Sequence, residues 1–487
     1  MRPAPNVARK GNSALPARRV TRRVTARRNT DNNSTAASAL SSEIKSLVRD
    51  LTGTDAGRSR AAALRLGALR DGKARKPLEV ALHSSDVGLR VGAASALGEI
   101  GDPESRPALE EGLLDSDWRV RAQAAYGLSR IHDPESTDLL ADMLTRDESA
   151  LVRNACALAL GRIRDPRAIP ALERALDDPS DRVRREAILA LERSQDPAAS
   201  QKVRRFLRDP VRRVRIAATV VIGLRRDPEG ASPLIEHLAF ADSWEKPALL
   251  VALGRIGTSE CGEALARTAN DPLRWIRVCA LHGLSEMRSP LGPDVARSKL
   301  SDPSWAVRGA AALALGQVVS SEDSTSLIPL LDDPNSWVRR CAVYGLGQQK
   351  AAAALPRLRA ALDDPDPEVR LAGIWALGFM HDSLSSDRLT QLLRHTRPKA
   401  TGAAPVLMEG DGAVRLVSDA DARLFDSLVQ AVRAVANGSG SHDAVRALAQ
   451  AKRSLPAAEL DRPARLPTPL GSGVGTRTLR ELFDSPP

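Results

Sequence analysis

From residue 58 to about residue 393, apolar positions follow two alternating helical patterns, each closed by a short polar break. Residues 168–177 put Ile169, Leu172 and Leu176 on one helical face. Asp178-Pro179-Ser180 then stops the helix, because proline cannot continue it and the residue before proline avoids helical angles. A second helix is expected over about 181–194, with Val183, Ala187, Ala190, Leu191 and Ser194 as its inward stripe. Asp196-Pro197 closes the unit. Paired helices with such short joints predict antiparallel hairpins stacked side by side.

The unit recurs along the chain, and a fixed period of this length is the mark of a stacked-repeat architecture. An arginine following an apolar residue stands at Arg90, Arg121, Arg153, Arg184, Arg215, Arg277, Arg308, Arg339 and Arg370, at spacings of 31 or 32 with one gap of 62. Lys246 occupies the midpoint of that gap, in a degenerate unit where Phe240 and Pro247 also break the pattern. Seven residues after each anchor the chain is always apolar, from Leu97 through Ile222 to Leu377. Small residues three and six positions after the anchor predict close approach of neighbouring helices.

Eight anchors, Arg121 to Arg370, also have an aspartate six residues earlier: Asp115, Asp147, Asp178, Asp209, Asp271, Asp302, Asp333 and Asp364. This pattern resembles the HEAT-repeat family, especially its bacterial variant, the phycobilisome-lyase-type HEAT-like repeats. The resemblance spans residues 58 to about 393. It implies an all-α fold, a right-handed α-solenoid of about eleven helical hairpins with a small C-terminal cap. It also implies an Asp–Arg ladder running from unit to unit, in which Asp178, Arg184, Asp209, Arg215, Asp302, Arg308, Asp333 and Arg339 are structural. A bare arginine track could instead hold phosphates; the aspartates at a constant offset favour ion pairs.

The expected organisation is a basic tail over 1–40, the solenoid over 41–394, and a linker over 395–418 with a β-hairpin at 405–417. Two cap helices (419–436 and 441–454) are expected within 419–455. The Pro/Gly/Arg-rich tail over 456–487 is expected to have no fold of its own. Within it Leu479, Leu482 and Phe483 would share one helical turn.

Charge changes the picture only at the N-terminus. The chain carries 71 Lys and Arg against 60 Asp and Glu, for a net +11. Residues 1–35 hold nine of the bases and one acid, Asp31, so most of the excess lies there. Arg18-Arg19, Arg22-Arg23 and Arg27-Arg28 make this tail an electrostatic element for an anionic partner: nucleic acid, a membrane surface or an acidic protein. It has no aromatic side chain on which bases could stack. Its Arg-rich, acid-poor character also resembles an organelle transit peptide. No apolar run is long enough to span a bilayer, and the expected location is cytoplasmic.

Candidate chemistry is sparse. The seven histidines are scattered and no His-Glu dipeptide occurs, which excludes the iron-binding enzyme branch of this fold. Gly471-Ser-Gly-Val-Gly475 lacks the following Lys-Ser of a phosphate loop and reads as linker. Cys156, Cys279 and Cys341 occupy similar places in separate repeats and read as small packing residues. No catalytic residue, metal site or cofactor is expected. The expected function is a non-enzymatic, protein-binding scaffold or adaptor using the concave solenoid surface. The alternatives are a nucleic-acid-binding HEAT protein and, by resemblance to the lyases, a phycobilin-handling protein.

Two rows of side chains are candidate partner contacts. Trp244, Trp275, Trp305 and Trp337, with Trp118 further back, each sit just before an anchor. Tryptophan is enriched at binding hot spots, although it also serves as a staple over a helix joint. Tyr126, His282, Tyr344 and Trp375 lie five residues after an anchor, facing either a partner or the next unit.

Overall fold

The computed structural model describes residues 40, 42–317 and 321–395, together with 427–432, 434, 447–449, 452, 463–468 and 471–478. The chain divides into two compact units, Met1–Ala199 and Ser200–Pro487. Each is a stack of helical hairpins.

In the first unit the long second helices are Ala56–Leu69, Val87–Ile100, Trp118–Ile131, Ala150–Ile163 and Asp181–Arg193. They pack one upon the next. The first helices between them, such as Arg106–Gly112 and Ile169–Ala175, are shorter. Each follows a 3-10 turn started by an aspartate. Asp102, Asp133 and Asp165 accept the backbone N–H two residues on, and the next residue is proline, whose missing N–H costs nothing at a helix start. The Asp-Pro signal therefore both ends one hairpin and caps the next.

The second unit repeats this plan with second helices Arg212–Leu224, Lys246–Ile256, Arg274–Glu286, Trp305–Gly316, Ser336–Gln348 and Pro367–Phe379. The last first-helix, Ser386–His395, closes the regular series. Residues 427–432 and 447–449 are helical, and Leu428, Val429 and Val432 join the same core as Leu377; the rest of the expected cap lies largely outside the described residues.

One apolar line runs through each stack. The residue before the anchor (Val120, Val152 and Val183 in the first unit; Val214, Ile276, Val307 and Val338 in the second) is fully buried. The residue seven after the anchor is 1% exposed or less in every repeat. Close approach comes from a third position. A β-carbon on Gly98 would stand 2.6 Å from the Cα of Gly127, and one on Gly254 would stand 2.7 Å from the Cα of Gly283. The neighbouring small residue is the one expected six positions after the anchor. The glycine eight positions after the anchor was not read from the sequence.

The β-hairpin at 405–417 and the basic tail 1–39, with Arg18, Arg19, Arg22, Arg23, Arg27 and Arg28, lie outside the described residues. Leu479, Leu482 and Phe483 also lie outside them. The expectation that 456–487 has no fold is corrected: Pro463–Thr468 and Gly471–Thr478 form an antiparallel hairpin, with Arg465 opposite Val474. Its first strand lies against the helix Pro367–Phe379. Glycine and proline hide such a pair from pattern reading, because backbone hydrogen bonding needs no alternation of apolar side chains.

Candidate functional site: the ladder and the two ends of the second helices

The anchor arginine joins successive hairpins. Nε and Nη2 of Arg308 donate to the two carboxylate oxygens of Asp333 at 2.7 and 2.9 Å, a bidentate pair 25 residues apart. Its third nitrogen, Nη1, donates at 2.9 Å to the backbone carbonyl of Asp302. The aspartate six residues before an arginine thus gives that arginine only its carbonyl; its carboxylate serves the preceding layer. Arg277–Asp302 and Arg339–Asp364 repeat the arrangement. In the first unit so do Arg90–Asp115, Arg121–Asp147 and Arg153–Asp178. Each carboxylate also accepts the backbone N–H two residues ahead, as Asp178 does from Ser180 and Asp209 from Val211. Arg184 and Arg215 likewise hold the carbonyls of Asp178 and Asp209.

These rungs are almost dry: the side chains of Arg308 and Asp333 are 15% and 6% exposed. Burial alone would raise the carboxyl pKa of Asp302 and Asp333. The facing arginine and the backbone N–H outweigh it, so both lie below the usual carboxylate range. The arginine pKa moves up through the same hydrogen bonds, as at Arg308 and Arg339. At Arg90, Arg121, Arg153, Arg277, Arg308 and Arg339 all three guanidinium nitrogens donate to protein oxygens, so these rungs are closed ion pairs and not an arginine track for phosphates.

At the degenerate unit the ladder is rebuilt. Phe240 takes the place of the aspartate and is 89% exposed. Glu245, buried at 3%, supplies the carboxylate instead, accepting Arg215 Nε at 2.7 Å. Lys246 then reaches Asp271 at 2.8 Å. Glu245 was not singled out from the sequence, because it lies five residues beyond the expected position.

A second row of ion pairs also escaped the sequence. Arg106–Asp133 in the first unit, and Arg204–Asp227 and Arg359–Asp382 in the second, tie a first helix to the Asp turn that opens the next one. Their separations vary, so no single period reveals them.

Of the candidate contacts, Trp244, Trp275 and Trp305 are 77%, 48% and 49% exposed in the second unit, and Trp118 is 42% exposed in the first. All lie at or beside the N-terminal ends of second helices. Trp337 differs. It rests over Gly309 of the preceding helix and under the Arg340 guanidinium, 4.3 Å from the ring centre, so it is a staple. The row five residues after the anchor divides. His282 is exposed and Tyr126 half-buried. Tyr344 is 3% exposed, which corrects its assignment as a partner contact: its ring packs 5.0 Å from Trp375 of the next layer. Trp375 is itself half-buried and stacked on Phe379 at 5.2 Å.

Among the described residues no group of three or more His, Cys, Asp or Glu is placed to hold a metal ion. Burial pushes the Cys341 thiol up to about 12 and raises that of Cys156 further, so neither is an activated nucleophile. No described helix is long and apolar enough to cross a membrane.

Stacked two-helix units joined by a buried ion-pair ladder define an α-solenoid repeat protein. The HEAT-repeats family profile matches residues 44–129, 112–192, 174–246 and 324–405, and the HEAT-repeat profile matches 295–321. These matches cover more than half of the chain, which belongs to the HEAT-repeat family. A comparison with curated proteins finds no match. Among solved structures the chain is similar to importin beta, at 14% identity over 90% of this chain and 70% of that one, with a TM-score of 0.58. Yeast importin-beta (Kap95p) gives 13% identity over 91% and 66%, with a TM-score of 0.57. The complex of CpcE and CpcF of phycocyanin lyase from Nostoc gives 23% identity over 50% and 94%, at a TM-score of only 0.33. At these identities the importin likenesses establish the fold, and the lyase likeness carries no weight.

Proposed function

We propose that the chain is a non-enzymatic protein-binding scaffold whose second helices present their N-terminal ends to a partner. Trp244, Trp275 and Trp305 are the anchors in the second unit, with Phe240 beside the first of them. Trp118 is the corresponding group in the first unit; Tyr126, His282 and the open part of Trp375 lie further along their helices and are separate candidate contacts. The observation that carries this reading is the exposure of three large indoles in successive repeats, each leaving about half or more of its surface in water. Aromatic side chains of this kind contribute most when a partner desolvates them. Related folds occur with protein partners, as in the Kap95:Nup1 complex and Kap121p bound to Pho4p. The basic N-terminal tail would add electrostatic recruitment that weakens with salt.

The test is quantitative affinity purification with the full chain and a Trp275→Ala/Trp305→Ala variant. Partner recovery is expected to fall at least about tenfold, with an unchanged circular dichroism spectrum. Equal recovery by a folded variant would remove the tryptophan row from the interface.

A further inference from the structure

Near its C-terminal end the helix Pro367–Phe379 meets the helical residues 427–432 at Gly378, where an added β-carbon would stand 2.6 Å from the Cα of Ala431. A cleft of about 180 Å³ opens beside that contact, within the second unit. Trp375 and Phe379 wall it with rings stacked at an interplanar angle of 10°, and Phe379 is 44% exposed. Lys350, His381, Ser427 and Gln430 also line it.

These polar groups are little used inside the protein. Ser427 is 2% exposed, and its hydroxyl oxygen is buried without a hydrogen-bond partner. Such an orphan costs stability, so a native structure keeps few of them. The Lys350 ammonium and the Gln430 amide make no hydrogen bond or ion pair among the described residues. Lys350 instead lies 5.4 Å above the Phe379 ring centre. His381 Nδ1 donates to the Ala434 carbonyl at 2.8 Å, which leaves Nε2 for another partner.

The charges alone would prove nothing. Lys350 and His381 each follow a helix with no cation in its last turn, and the helix dipole favours a base there. The dipole does not account for an open pair of stacked aromatic rings beside a buried, unpartnered hydroxyl. Nor is the cleft closed by acid: Asp382, next to His381, is held by Arg359 at 2.6 Å.

We propose that this cleft is a binding site for an aromatic ring carrying a carboxylate. A cavity of about 150 Å³ holds one benzene ring, so the space suits a single ring with its acid group. The ring lies against Trp375 and Phe379. Lys350 supplies the charge, while Ser427 and Gln430 donate the hydrogen bonds that orient the carboxylate. A free aromatic acid and the C-terminal phenylalanine of a peptide both present this chemistry. The site is separate from the Trp244–Trp305 row and does not depend on it.

The test is a fluorine NMR titration of the full chain with para-fluorophenylacetate, with para-fluorophenylacetamide as the uncharged probe. The amide should bind at least about tenfold more weakly than the acid. Lys350→Gln should weaken the acid by a similar factor at unchanged Tm, because Lys350 is exposed. Ser427→Ala should weaken it about fivefold while Tm stays level or rises, since the orphan hydroxyl is gone. A dipeptide ending in para-fluorophenylalanine separates the two sources. Tighter binding than the free acid marks a peptide end and weaker binding a small acid; either upholds the site. No binding of either probe or of the dipeptide at millimolar concentration would overturn the proposal. So would equal binding of acid and amide, affinity unchanged within about twofold in Lys350→Gln, or a Ser427→Ala variant that loses Tm and keeps its affinity.

Discussion

From Arg277 to Asp364 the ladder repeats one motif three times, whereas from Arg215 to Asp271 it is assembled from other parts. In the regular stretch a bidentate arginine meets the aspartate at the end of the next first helix. In the rebuilt stretch the carboxylate comes from Glu245, just before the next second helix, and the cation is a lysine making one bond. The positions move, yet a paired charge is kept at each layer. A buried arginine cannot be left without a carboxylate, because an uncompensated charge away from water costs several kcal/mol. What the stack requires is the pairing; the residue that supplies it can shift.

The comparison can be broken most strongly at its regular end. Asp333→Ala strands the Arg308 guanidinium and uncaps Asn335, and should cost about 3 kcal/mol in chemical denaturation. Glu245→Ala should cost nearly as much at the rebuilt end, about 2–3 kcal/mol, because Arg215 then loses its carboxylate. Phe240→Asp, which restores the missing ladder residue, should recover part of that loss when combined with Glu245→Ala. No recovery would mean that the two stretches are held by different forces. Gly254→Val drives a branched side chain into Gly283 of the next helix and should cost about 1–3 kcal/mol, read as a lowered Tm.

Acid should act next. The carboxyls of Asp271, Asp302, Asp333 and Asp364 titrate below the usual range in the folded chain. The unfolded chain takes up protons first, near pH 4. The stabilisation is therefore complete above that pH and is lost as the pH falls through the lower folded values. Denaturation midpoints at pH 5 and pH 3 check this, and Asp333→Asn should flatten the difference. The smallest effect belongs to Lys246→Arg, which can add a second bond to Asp271 and should stabilise by less than about 1 kcal/mol.

Much of this was legible in the sequence, for a physical reason. A solenoid places each repeat in nearly the same surroundings, so Leu97 and Leu377 bury the same position and the pattern accumulates along the chain. The ladder was visible in the same way. Departures from periodicity were not. Glu245 does its work from the wrong place in the count, and the Arg106–Asp133 row has no constant spacing. Tyr344 and Trp305 are both aromatic in periodic rows, yet one is core and the other exposed; that depends on the neighbour across the layer, which spacing does not report. The strands Pro463–Thr468 and Gly471–Thr478 are rich in proline and glycine and leave little apolar alternation in the sequence.

The most direct test of stacking through the ladder is a pair of double-mutant cycles on Arg308. With Asp333, which lies 25 residues away in the next hairpin, the coupling energy should be about 1.5–3 kcal/mol. With the Asp302 side chain, only six residues away, it should be below about 0.5 kcal/mol, since Arg308 uses only that residue's carbonyl. The reverse order, strong coupling to Asp302 and none to Asp333, would place the ion pairs within hairpins and contradict the ladder as the link between them.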